Sequence, residues 1–122
     1  MDVDAFALGR DRDILEAVEF LLENRRTGAP VVNESNELVG LLSEKDCLKL
    51  LATGVGHDVP NGKVSDFMTI EVQTVSPEMN IYFVAGLFLN SVVRRFPVVD
   101  DGKLVGVITR FDILRAVQKH FG

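Results

Sequence analysis

Two ten-residue stretches of the chain are nearly the same: LVGLLSEKDC at Leu38–Cys47 and LVGVITRFDI at Leu104–Ile113. The agreement extends upstream. At an offset of 67 residues, Ile14 meets Ile81, Leu22 meets Leu89, and Pro30-Val31-Val32 meets Pro97-Val98-Val99. The polar stretches NESNE and DDGK then differ by one residue, and beyond them the offset is 66, so that Ser43 meets Thr109 and Asp46 meets Asp112. A length change confined to a turn, where insertions are best tolerated, marks a duplicated unit. The duplication limits the fold. A half-chain of about 60 residues is marginal on its own, so the two copies must share their burial.

Each copy has the same grammar. A short apolar stretch (Ala5 to Leu8; Val72 to Val75) precedes a segment of helical periodicity. In copy one, Ile14, Val18, Leu21 and Leu22 fall at i, i+4, i+7 and i+8. Asp13 with Glu16 three residues on reads as a capping box. Two β-rich runs follow, PVV and LVGLL or LVGVI, around a polar turn. Asp101-Gly102 is a hairpin signal, and NESNE is a longer version of it. A second helix then runs from Glu44 to Ala52, stopped near Gly54, and from Arg110 to about His120. Copy two also has a short lead-in helix, VSDFMT, without a counterpart in copy one. The predicted class is α/β (α+β): two β-α-β-β-α repeats packed sheet to sheet with pseudo-two-fold symmetry, helices outside. The boundaries are repeat one at 1–54, a Gly- and Pro-rich linker at 55–65, and repeat two at 66–122.

The repeated stretch places a hydroxyl at the end of a strand and an aspartate three residues later, in the first turn of a helix. One reading is a capping-box variant that satisfies orphan N–H groups. The other is a ligand site: free N–H groups, a positive dipole end and a hydroxyl suit an anion, and the carboxylate accepts from a vicinal diol. Copy two adds Arg94 and Arg95 before Phe96-Pro97, and Arg110 after Thr109. Three guanidiniums there favour a phosphate, or else form a solvated surface cluster. Copy one has Thr27 and Gly28 at the matching places, with Lys45 near Ser43.

Two such copies, each with P-V-V, L-V-G and S/T-x-x-D, resemble a tandem pair of CBS (cystathionine-β-synthase-type) domains, the Bateman module. The resemblance covers about residues 3–54 and 66–121 and is strongest in APVVNESNELVGLLSEKDCLKLL and FPVVDDGKLVGVITRFDILRAV. It implies a regulatory module that binds an adenosine derivative (ATP, ADP, AMP or S-adenosylmethionine) between the repeats and controls a fused or partner enzyme, channel or transporter. It implies no obligatory cofactor, no chemistry of its own, and a homodimer. Carried over, Asp112 holds ribose hydroxyls and Thr109 the sugar-phosphate region, while Asp46 and Ser43 do the same in a second cleft. The adenine side of the Asp112 cleft falls near Phe6, Arg26 and Thr27, and that of the Asp46 cleft near Val72, Gln73, Val93 and Arg94. Copy one departs from the pattern in FALGRDRDIL, where Arg10 stands in place of the proline and Phe6 is bulky.

Other features narrow the classes. A net charge of −5 argues against a sequence-independent nucleic-acid binder. A lone cysteine excludes an internal disulfide and fits a reducing compartment. No apolar run approaches the roughly 18–20 residues of a membrane span, and the acidic MDVDAF is unlike a signal peptide, so the expected location is cytoplasmic. Cys47 sits at a helix start, where a dipole lowers a thiol pKa, yet its repeat partner is Ile113, which favours a small core residue. His57 and His120 read as solvent-facing, and no metal spacing is present. The helix YFVAGLFLNSVV is apolar enough to serve both core and dimer face. The alternative to a ligand sensor is therefore a structural or dimerisation module in which S/T-x-x-D only caps helices.

Overall fold

The computed structural model describes residues 7–52 and 61–121. The expectations at Phe6, Gly54 and His57 lie outside them. Among the described residues the elements follow in the order β1 (Leu8–Gly9), α1 (Ile14–Glu23), β2 (Gly28–Val32), β3 (Leu38–Ser43), α2 (Glu44–Ala52), α3 (Val64–Phe67), α4 (Ile81–Leu89), β4 (Arg95–Asp100), β5 (Lys103–Thr109) and α5 (Arg110–Phe121). The class is α+β, as expected, and the described chain divides into two compact units between Val72 and Gln73.

In the first unit β1 pairs parallel to β2, and β2 antiparallel to β3. The core is Leu8, Ile14, Ala17, Leu21, Ala29, Val31, Leu42 and Val64. Asp13 caps α1 by accepting from the Leu15 and Glu16 N–H groups at 3.1 and 3.2 Å. Glu16 pairs with Arg12 at 3.8 Å instead of turning back onto the cap residue. The buried stripe of α1 is Ile14, Ala17 and Leu21, whereas Leu22 is 74% exposed. Leu22 was expected inside because leucine outweighs alanine in an apolar pattern. Steps of three and four residues put Ile14, Ala17 and Leu21 on one face, and the fully buried Ala17 takes the place in the core.

Val64 of α3 belongs to the core of this unit, although the sequence assigns VSDFMT to copy two as its lead-in helix. After α3 the backbone turns back along β3, and Leu41 and Thr69 exchange N–H···O bonds of 2.9 and 2.8 Å. That approach explains the glycine of the first LVG. A Cβ on Gly40 would lie 2.7 Å from Met68 Sδ and 2.8 Å from the Thr69 carbonyl oxygen.

The second unit is built on the β4–β5 hairpin. Its core is Val75, Val84, Phe88, Phe96 and Val98, with the Phe88 and Phe96 rings 4.6 Å apart. Both hairpins shift register at the same repeat position, between Val31 and Val32 and between Val98 and Val99. This bulge falls on the valine of LVG. Asp101 and Gly102 both have positive φ (52° and 78°), the two-residue turn their sequence predicts. In the longer first turn, Asn33 Oδ1 accepts from the Ser35 and Glu37 N–H groups, and Asn36 takes φ 62°.

Two further expectations change here. The predicted strand Val72–Val75 reduces to one parallel bridge, Val75 to Val98, whereas copy one forms β1. The helix expected over YFVAGLFLNSVV stops at Leu89. Asn90 donates its side-chain amide to the Gly86 carbonyl at 2.9 Å, a competing bond that ends the helix. Asn24 ends α1 in the same way through Phe20 at 2.8 Å.

Candidate functional site

In both units the last strand runs directly into a helix. Ser43 closes β3 and Glu44 opens α2; Thr109 closes β5 and Arg110 opens α5. The S/T-x-x-D spacing then brings hydroxyl and carboxylate together. The Ser43 N–H and hydroxyl donate to Asp46 Oδ2 at 2.9 and 3.0 Å, and the Ser43 oxygen accepts from the Asp46 N–H at 3.3 Å. Thr109 and Asp112 repeat the pattern at 2.7, 3.1 and 3.4 Å. Each is a reciprocal capping box with aspartate in the glutamate's place. The second oxygen of each carboxylate takes a cation from one turn on: Lys49 Nζ lies 2.9 Å from Asp46 Oδ1, and an Arg115 guanidinium nitrogen 3.0 Å from Asp112 Oδ1.

Asp46 is 3% exposed and is the buried charged residue among those described. Burial alone would raise its pKa. The Ser43 N–H, Lys49 and the Ser43 hydroxyl outweigh burial and hold it below the usual 3.8. Burial likewise opposes ionisation of Asp112, and bonds from the Thr109 N–H and hydroxyl help keep it below the same value. Both residues are therefore carboxylates at neutral pH, able to accept hydrogen bonds. Cys47 behaves oppositely: burial, and then the neighbouring Asp46 charge, push its thiol pKa up. The helix start does not activate it, and its side chain packs against the first core.

The structure brings together some of the other expected residues. Thr27 accepts from the Glu44 N–H at 2.8 Å, and Gly28 pairs in register with Ser43, so this corner adjoins the start of α2. Arg95 pairs in register with Thr109. Arg94 and Arg110 are exposed on either side of that pair, and Arg95 is half-buried. Arg26 is half-buried just before β2, and Val93 just before β4. Val72 and Gln73 stand at the division of the units.

Thr69 was not found from the sequence. Its hydroxyl is shared between Asp46 Oδ1 and Oδ2 at 3.2 and 3.3 Å. It lies 23 residues from Asp46, outside any local motif, and only the return of the lead-in segment over Gly40 brings it there.

A duplicated α+β unit with a capped carboxylate at the mouth of each final helix defines a tandem-repeat module. The family profile "CBS domain" matches residues 1–53 and 64–119, and the chain belongs to that family. The Methanocaldococcus jannaschii protein MJ1225 is 33% identical over 115 residues, which is 94% of this chain but 40% of that protein. The crystal structure of CBSX2, an Arabidopsis thaliana protein, in complex with AMP superposes with a TM-score of 0.81 at 33% identity, covering 96% of this chain and 90% of that one. The CBS domain pair of protein MJ0100, in complex with 5′-methylthioadenosine and S-adenosyl-L-methionine, gives 0.75 at 27% identity over 94% and 92%.

Proposed function

We propose that the chain is a regulatory module that binds an adenosine-containing ligand, an adenine nucleotide or S-adenosylmethionine, and controls a fused or partner protein. The observation that carries this reading is the corner at the start of α5. There Asp112, an ionised carboxylate, stands beside Thr109, and the chain positions of Arg94, Arg95 and Arg110 adjoin Thr109 through the strand register and the chain itself. A carboxylate suits a ribose diol and guanidiniums suit a phosphate. The AMP complex of CBSX2 and the S-adenosylmethionine complex of MJ0100 support the same ligand class.

In this reading Asp112 and Thr109 hold the sugar, and Arg94, Arg95 and Arg110 attract the phosphate. Ser43 and Asp46 form the weaker counterpart. Phe6, Arg26, Thr27, Val72, Gln73 and Val93 belong to the same proposal as adenine-side contacts. A ligand transmits a signal only by favouring one of two arrangements of the protein. The module works in the cytoplasm and catalyses no reaction. None of the described helices is long and apolar enough to cross a membrane.

A second reading, a dimerisation module, is favoured by one observation. Leu48 and Leu51 on α2, and Phe111, Leu114 and Phe121 on α5, are all exposed. An apolar groove of about 510 Å³ runs between α4 and α5, lined by Phe88, Leu89, Ile113 and Leu114 among others. Exposed apolar faces of this kind mark association surfaces, and a homodimer accompanies both readings. Thermal melts with ATP, ADP, AMP, S-adenosylmethionine and NADH separate them. A ligand at a hundred times its Kd adds about 2.7 kcal/mol, easily visible in Tm. A stabilising shift with one of the five supports the sensor; no shift with any leaves the dimerisation module.

A further inference from the structure

The basic residue one turn after each aspartate has no part in the function proposed so far. Lys49 follows Asp46 by three residues and Arg115 follows Asp112 by three, so this feature too is duplicated at the offset of 66. The two cations do the same thing. Oδ2 of each aspartate is taken by the cap, from the Ser43 or Thr109 N–H and hydroxyl. Oδ1 receives the cation, at 2.9 Å from Lys49 and 3.0 Å from Arg115. In both pairs the carboxylate lies inside and the cation outside: side-chain exposures are 5% for Asp46 against 52% for Lys49, and 10% for Asp112 against 73% for Arg115.

We propose that Arg115, and Lys49 in its own repeat, act as counter-ion latches that compete with the ligand's diol for carboxylate Oδ1. The inference rests on the reading that Asp112 receives a sugar diol. A carboxylate oxygen has two lone-pair directions, and the cap has already fixed the orientation of the group. A diol that engages Oδ1 therefore meets Arg115 at the solvent-facing side of the carboxylate, and the guanidinium must swing out as the hydroxyls arrive. Because the arginine head is exposed, the pair is weak and screened by salt. Its effect is to set a threshold concentration below which the corner stays closed on itself. Arg115 is thus a specificity-setting residue: a ligand that presents only one hydroxyl gives up the ion pair without replacing it.

The test uses adenosine, which has the diol and no charge. Isothermal titration compares wild type, Arg115→Gln and Arg115→Lys at low and high salt, with AMP titrated into wild type first and 2′-deoxyadenosine as the single-hydroxyl control. The latch predicts that Arg115→Gln binds adenosine about two- to fivefold more tightly at low salt, the range an exposed ion pair supports. It also predicts that wild type gains affinity for adenosine as salt rises, that Arg115→Lys keeps this salt response, and that Arg115→Gln loses it. An Arg115→Gln affinity equal to or weaker than wild type, while wild type binds AMP normally, overturns the latch and leaves the sensor reading intact. Failure of wild type and both variants to bind either AMP or adenosine overturns the latch; the sensor reading falls with it only when ATP, ADP, S-adenosylmethionine and NADH also give no shift in Tm. Arg115 is exposed and outside both cores, so the substitutions leave the fold in place.

Discussion

The two aspartate corners share one sequence pattern and stand in different surroundings. Asp46 is buried beneath Lys49 and a hydroxyl from Thr69, and the lead-in segment crosses β3 at Gly40 to deliver that hydroxyl. Asp112 makes the same cap, but its repeat carries Arg94, Arg95 and Arg110, where the first repeat has Thr27, Gly28 and Glu44. The comparison teaches that S/T-x-x-D is first a structural device. Both corners use it to start a helix, so the motif alone does not separate a cap from a binding site. The proposed function separates them by the surrounding charge.

Substitutions can sharpen the contrast. The largest effect is expected from Gly40→Val, which drives two methyl groups toward Met68 and the Thr69 carbonyl. It should cost about 3 kcal/mol, the upper range for overpacking, and also loosen Asp46 by moving Thr69. Urea denaturation measures this directly, and a cost under 1 kcal/mol would mean that the lead-in segment is not held against β3.

A smaller difference separates the aspartates themselves. Asp46→Ala removes a cap and strands Thr69 and Lys49, at about 2 kcal/mol; Asp112→Ala should cost about 1 kcal/mol. Equal costs would contradict the view that the first corner is the more structural of the two. Acidification gives the smallest and most shared effect. Both carboxyls have folded pKa values below 3.8, so their stabilisation is complete above that value and is lost as pH falls through the lower folded values. The melting temperature should fall below about pH 4 through these groups, and Asp46→Asn should remove part of that dependence. An unchanged acid limb in the variant would show that Asp46 is not held in its charged form by the fold.

Much of the architecture was legible because the chain states it twice. The helix starts at Glu44 and Arg110, the Asp101-Gly102 turn and the hairpins follow from local chemistry that each copy confirms in the other. Where the copies diverge, local reading failed. The strand expected at Val72–Val75 narrows to one bridge, and the α4 terminus was missed because Asn90 acts through a side-chain bond that apolar periodicity does not register. Leu22 was misplaced because pattern counting ranks residues by hydrophobicity, whereas close packing chose Ala17. In the candidate site, Ser43–Asp46 and Thr109–Asp112 were readable from spacing. Thr69 was not, since a contact across 23 residues depends on the path of the whole lead-in segment.

The central claim is that the second repeat's corner holds the ligand. The most direct measurement is isothermal titration of AMP into wild type, Asp46→Ala and Asp112→Ala under one buffer. The account predicts that Asp46→Ala keeps a wild-type-like Kd at its tightest site and that Asp112→Ala loses that site altogether. Retention of the tight site in Asp112→Ala, or its loss only in Asp46→Ala, would contradict the account and place the ligand in the first repeat's corner.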